Sequence, residues 1–393
     1  MSAVDPIAVG RTHEFGVYAR QPVVFARGRG CELWDTDGKR YLDFFAGLAV
    51  NNLGHCHPAV VEAIRRQAGT LMHVSNLYHT EPTARLAALL CRHSFAERAF
   101  LCNSGAEANE AALKLARRWG AERGGRYEIL AAHGSFHGRT FATLTATGQE
   151  KYHQGFQPLL PGIRLVPYGD ARALAEAIRD ETVAIMLEPL QGEGGVVFPG
   201  ADYLRAVRDL ATRRGLLLIL DEVQCGLGRT GRLFAHEHAE MTPDIMTLAK
   251  ALGGGLPIGA MCATEAVAGA FTTGTHGSTF GGNPVACAAA AVALETLADP
   301  ALLEHVRAMG EHFRDGLARL ASRHATIRGV RGLGLMLGAE LDRPGQPLVA
   351  ACLARGLLVN CTAERVLRFL PPLIIGREEI DEGLAILDEV LGA

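Results

Sequence analysis

Lysine is scarce in this chain of 393 residues. Of its 39 basic residues, only Lys39, Lys114, Lys151 and Lys250 are lysine. Any amine chemistry therefore has few candidates. Charge imbalance is missing too, with 39 Lys and Arg against 42 Asp and Glu. A nearly neutral chain gives no electrostatic case for nucleic acid or an anionic membrane surface as partner. Long apolar runs are lacking: "GLLLIL" is among the strongest, and it has the length of a strand. The nine cysteines contain no C-x-x-C pair. An odd, irregular set in so long a chain points to reduced thiols and a cytoplasmic location. The N-terminal "MSAVDPIAVGR" carries Asp5 and Pro6 and does not read as a secretory signal. No metal site is expected, because His55-x-His57 and His236-x-His238 lack a third ligand at recognisable spacing. Neither a G-x-S-x-G elbow nor a G-x-x-x-x-G-K-[ST] loop is present.

What is present is alternation. The length exceeds the usual single core, so one large domain and a smaller one are expected. "CELWDTDGKRYLDF" reads as a hairpin turning at Asp37-Gly38, with Lys39 solvated beside the turn. From about residue 99, short apolar runs ("AFLC", "YEILAA", "IRLVP", "TVAIMLE", "LLLIL", "DIMTLA") alternate with amphipathic helical segments. That pattern predicts an α/β fold with a mostly parallel sheet covered on both faces, whose ligands bind beyond the carboxyl ends of the strands. From about residue 285 the pattern shifts to long helices flanking "GLGLMLGAEL" and "RVLRFLPPL", as in a smaller α+β domain.

Reactive groups fall at the strand ends. Glu188 follows "VAIML", Asp221 follows "LLLIL" and Lys250 follows "IMTLA". Singly, an Asp there often caps a helix, and a Lys is an ordinary loop residue. Together they suggest one crevice holding acids and an amine. "CNSGAEANEAALKLARRW" begins a helix with small residues, where free N–H groups and the helix dipole favour phosphate. Ser104-x-x-Glu107 also matches a capping box, a purely structural role that requires Glu107 to point away from any phosphate. Gly226 to Gly231 has G-x-G-x-x-G spacing, but Asp221 to Cys225 separate it from the preceding strand, so a dinucleotide site is disfavoured.

An amine, an acid at a buried strand end and a phosphate cradle together suit pyridoxal 5'-phosphate. The motifs "NSGAEANEAALKLAR", "SFHGRTFAT", "EPLQGEGG", "LILDEVQCGLGRTG", "LAKALGGGLPIGA" and "HGSTFGGNP" occur in this order. On them the chain resembles the class III pyridoxal-phosphate-dependent aminotransferases over almost its whole length. The resemblance implies fold type I, with a large cofactor-binding domain over 46–284 built on a mostly parallel seven-stranded sheet. The smaller domain would combine 1–45 with 285–393. Lys250 would be the Schiff-base lysine and proton-moving base, and Asp221 the partner of the pyridinium nitrogen. Gln224 would lie near the ring hydroxyl, and Glu188 would belong to the cofactor site. Ser104, Gly105 and Ala106 would hold the phosphate, and Phe136 would stack on the ring. Thr279 would reach the phosphate in a neighbouring subunit, which implies a homodimer with shared sites. Arg139 and Arg368 would bind substrate carboxylates, Ser278 would help hold substrate, and Glu193 would be a gate pairing with Arg368. The implied reaction moves the terminal amine of N2-acetyl-L-ornithine to 2-oxoglutarate, giving N-acetyl-L-glutamate 5-semialdehyde and L-glutamate. Succinylornithine, N-succinyl-diaminopimelate, ornithine and 4-aminobutyrate are alternative donors. A homologue that binds the cofactor without catalysis is the alternative of another kind. Its weakness is that binding alone does not need Lys250.

Overall fold

The computed structural model describes residues 5–392. Its centre is a seven-stranded sheet of β4 (Arg98–Cys102), β5 (Glu128–Ala132), β6 (Ile163–Val166), β7 (Thr182–Leu187), β8 (Leu217–Asp221), β9 (Ile245–Leu248) and β10 (Gly259–Ala263). The spatial order is β4-β10-β9-β8-β7-β5-β6. Only β10 runs against its neighbours, pairing antiparallel with both β4 and β9. Every residue of β5, β7, β8, β9 and β10 is buried, as strands covered on both faces must be. Each fully buried Leu or Ile there contributes roughly 1.5–3 kcal/mol. The helix Gly105–Ala121 lays Ala108, Ala112, Leu115 and Ala116 against this sheet, and Ala201–Arg214 covers it with Leu204, Val207 and Ala211 before stopping at left-handed Gly215.

Two four-stranded sheets complete the molecule. One joins β1 (Phe25–Arg29), β2 (Glu32–Asp35) and β3 (Arg40–Asp43) to β13 (Leu357–Leu358). Leu42 and Asp43 pair in parallel with Leu357 and Leu358, so the two ends of the chain share a sheet. The other, in the order β11-β12-β15-β14, joins β11 (Ile327–Leu333) and β12 (Met336–Leu341) to β15 (Val366–Phe369) and β14 (Asn360–Thr362). The predicted hairpin is β2–β3. Asp35 Oδ1 accepts from the Asp37 and Lys39 amides, and Lys39 donates its ammonium to the Ala354 carbonyl at 2.8 Å as well as facing solvent. Among the described residues, no single helix is long and apolar enough to cross a membrane.

The G-x-G-x-x-G stretch is a knot between these parts. Its Arg229 is fully buried and donates to Pro371 O at 2.6 Å, to Leu335 O at 3.0 Å and to Asn52 Oδ1. Burial pushes its pKa down to about 9. Glu222 fastens the far end of the loop, accepting from the His236 amide at 2.9 Å and lying 2.7 Å from His236 Nδ1. His236 is thus engaged by a carboxylate within the core, and His55 Nε2 lies 2.7 Å from Asp43 Oδ2.

Candidate active site

A cavity of about 490 Å³ opens beyond the carboxyl ends of the sheet strands. Ser104, Gly105, Ala106, Phe136, Arg139, Glu188, Glu193, Asp221, Gln224 and Lys250 all line it. The side chains converge because each follows a strand. Asp221 ends β8, Glu188 succeeds β7, and Lys250 stands two residues past β9. Lys250 has φ of 44°, a left-handed conformation that a side-chain-bearing residue adopts only when its surroundings impose it. Burial lowers its pKa, and the nearby Glu193 carboxylate opposes that shift. An amine with a depressed pKa is a better nucleophile and base near neutrality.

Asp221 is held from three sides. Its Oδ2 accepts from Asn109 Nδ2 at 2.7 Å and lies 2.8 Å from His137 Nδ1, and its Oδ1 accepts from the Val223 amide at 3.0 Å. Asn109 in turn donates to the His137 carbonyl and accepts from Thr247 Oγ1. Sequence reasoning missed Asn109 and His137. The available signal was Asn109 itself, an amide on the same buried helix face as Ala108, Ala112 and Ala116. His137 Nε2 is buried without a partner, and Asp221 raises the His137 pKa against the opposing effect of burial. Glu188 accepts from the Phe136 amide at 3.0 Å and the Gly192 amide at 3.3 Å. Burial pushes its pKa up to about 7, with His137 opposing.

Ser104 caps the helix Gly105–Ala121, its hydroxyl accepting from the Glu107 amide at 3.1 Å. Glu107 turns back to the Asn103 amide and side chain, away from the cavity-lining amides of Gly105 and Ala106. Those two amides begin the helix and have no intrahelical acceptor. Gly105 is required by crowding, since a Cβ there would lie 2.8 Å from Val223 Cγ1.

The two arginines differ. Arg139 is exposed at the cavity and makes no hydrogen bond or ion pair among the described residues. Arg368 is fully buried. Its Nη1 donates to Glu193 Oε1 at 2.6 Å and to Gln224 Oε1 at 3.0 Å, whereas its Nη2 has no partner. Burial would raise the Glu193 pKa, but the Arg368 charge and hydrogen bond outweigh it and hold the carboxyl below its usual range. Thr362 Oγ1 donates to the Glu193 carbonyl, so the backbone is anchored by a bond independent of the carboxylate.

Ser278 and Thr279 stand apart. Ser278 Oγ accepts from Asn103 Nδ2 at 3.2 Å, next to the cavity rim. Thr279 is exposed and lines a separate depression with His73, Asn76 and Thr83. The single chain does not bring it to Lys250.

Residues 16–391 match the family profile for Aminotransferase class-III. The chain belongs to the class-III aminotransferases. It is 52% identical over 392 residues to the acetylornithine aminotransferase of Methanocaldococcus jannaschii, covering 99% of this chain and 98% of that protein. The crystal structure of N-acetylornithine aminotransferase from Stenotrophomonas maltophilia K279a is 40% identical with a TM-score of 0.85, over 98% of both chains. The ornithine aminotransferase from Toxoplasma gondii, described with partial occupancy of PLP at its active site, is 37% identical with a TM-score of 0.94, over 98% of this chain and 93% of that one. Class-III aminotransferases depend on pyridoxal 5'-phosphate, and the residues of this aminotransferase fit that group. The cavity joins a half-buried amine, a carboxylate with a lone pair to spare, two helix-start amides and the half-buried Phe136 ring.

Proposed function

We propose that this class-III aminotransferase moves the terminal amine of N2-acetyl-L-ornithine to 2-oxoglutarate, giving N-acetyl-L-glutamate 5-semialdehyde and L-glutamate. One observation carries the reading: beside one half-buried amine, Arg139 has no carboxylate partner among the described residues, while Arg368 is masked by Glu193. A donor with one carboxylate and a distant amine needs only the free arginine. A five-carbon dicarboxylate needs both, and Glu193 must then leave. The bidentate fork of arginine suits each contact. The close likeness to acetylornithine aminotransferases supports the donor. Ornithine is the second reading, supported by the likeness to the Toxoplasma ornithine aminotransferase.

Pyridoxal phosphate, when bound, supplies an electron-accepting ring to the carbon that gains or loses the amine. The chain supplies the rest. Lys250 holds the cofactor and moves the proton at that carbon, which its depressed pKa favours. Asp221, fixed by Asn109 and His137, would keep a positive charge on the ring nitrogen. Ser104, Gly105 and Ala106 would hold the phosphate, and Gln224, Glu188 and Phe136 would hold the ring. Ser278 contributes to substrate binding. Thr279 serves the site of a second copy in a homodimer, a reading supported by exposed Met72, Leu77, Tyr78 and Phe280 near it. We assign residues 46–284 to the large domain and residues 1–45 with 285–393 to the small one. Free cysteines throughout the chain favour the cytoplasm.

The test is a donor panel without 2-oxoglutarate, following the visible absorbance of the bound cofactor. N2-acetyl-L-ornithine should discharge it fastest. If ornithine or 4-aminobutyrate does so and N2-acetyl-L-ornithine does not, the assignment is wrong.

A further inference from the structure

Among the described residues Arg139 has no ionic partner, yet a carboxylate-binding guanidinium must be aimed. Its guanidinium faces the ring of Tyr152. The Arg139 guanidinium carbon lies 4.0 Å from the centre of the Tyr152 ring, closer than its 5.3 Å to the Phe136 ring. Tyr152 also meets Phe136 edge to face, with centroids 5.8 Å apart at 81°. The turn carrying Tyr152 is built to stay there. Gln149 Nε2 donates to the Ser135 carbonyl at 3.1 Å, and His153 Nε2 lies 2.9 Å from the Leu144 carbonyl. The first bond ties residues 149–153 to the loop bearing Phe136 and Arg139, and the second ties them to the helix Phe141–Ala146 that follows it.

We propose that Tyr152 is a specificity-determining positioning residue that fixes Arg139 as the seat of the substrate carboxylate. This rests on the reading of Arg139 given above. A cation over an aromatic face is attracted by the ring quadrupole. A planar guanidinium stacked there keeps its N–H edge available for a carboxylate, because stacking consumes no hydrogen-bond donor. An acidic partner would neutralise the charge that substrate needs. The ring therefore orients Arg139 without competing for its ligand.

The experiment compares two donors on the cofactor-loaded enzyme: N2-acetyl-L-ornithine and N-acetylputrescine, which has the same chain without the carboxylate. Tyr152→Ala should raise KM for N2-acetyl-L-ornithine by about 3- to 30-fold with kcat retained. N-acetylputrescine should be unaffected, and Tyr152→Phe should behave as wild type because the ring face carries the effect. Equal losses with both donors, or no rescue by phenylalanine, would overturn the proposal. Arg139→Met separates the layers. If it collapses the preference between the donors while Tyr152→Ala leaves that preference intact, the role of Tyr152 fails alone. If Arg139→Met leaves the preference intact, the carboxylate reading of Arg139 fails.

Discussion

Replacing Glu193 by alanine tests the two-substrate site most directly. In the structure its carboxylate occupies Arg368 Nη1 at 2.6 Å, beside a Gln224 contact at 3.0 Å. A carboxylate of glutamate or 2-oxoglutarate seated on Arg368 must displace it. The hydrogen bond joins two charges, with one partner fully buried and the side chain of the other 22% exposed. Such bonds contribute about 1.5–3 kcal/mol net. Removing the competitor should therefore favour glutamate over the acetylated donor by about 10- to 150-fold in kcat/KM. Single-turnover half-reactions with each amine give that ratio directly. Part of the gain is offset in stability, because Arg368 loses the carboxylate it pairs with; breaking a buried pair costs about 3–5 kcal/mol, and partial exposure of Glu193 places this case at the low end. The pH arm has a definite sign. The folded-state pKa of Glu193 is depressed, so its stabilisation is complete above the unfolded value of 4.5 and disappears as pH falls through the lower folded value. Gating should thus be constant above that range. A Glu193→Ala enzyme whose donor-to-glutamate ratio stays within about twofold of wild type would refute the reasoning.

Further outcomes follow from the same geometry. Borohydride reduction of the cofactor-loaded enzyme should attach the cofactor to Lys250, as mapped by peptide mass; attachment at Lys39, Lys114 or Lys151 would displace the assignment. Glu188, pushed up to about 7 by burial, binds its proton more tightly folded than unfolded. The cofactor-free protein should accordingly lose stability as pH rises from 4.5 through about 7, and Glu188→Gln should flatten that part of a urea-midpoint profile. Arg229→Leu strands three buried acceptors, Asn52 Oδ1, Leu335 O and Pro371 O, and should lower unfolding stability by about 3 kcal/mol or more in urea.

The parts of the fold legible in the sequence were those whose burial is uniform. β7 and β8 are continuous apolar runs ended by Glu188 and Asp221, so strand and reactive group were read together. β10 escaped, because "GAMCA" has neither β-branched residues nor alternation, and its pairing on both sides decides its conformation. The knot at Arg229 was equally silent. Its partners are distant carbonyls, and no local pattern marks an arginine that will be buried. Motif positions singled out Lys250, Asp221 and Arg139, which line one cavity, and Arg368, which bonds to the cavity-lining Glu193. They did not reveal that Asn109 and His137 hold Asp221, since that contact spans 112 residues in one case and 84 in the other. Thr279 marks the opposite limit. Its proposed role lies in a second copy, so neither local sequence nor one chain brings it to the cavity.

Arg229 also bears on the order of events at the ribosome. Its three acceptors are supplied by Asn52, Leu335 and Pro371, so the guanidinium cannot leave water until nearly the whole chain has been made. Gln224, in the loop that follows β8, accepts from Arg368, three residues before Pro371. A nascent chain that has emerged only through the central sheet therefore carries Arg229 without two of the three acceptors that allow its burial. Burial of this guanidinium and completion of the C-terminal strands therefore go together, and the loop after β8 is fastened to the rest of the molecule last.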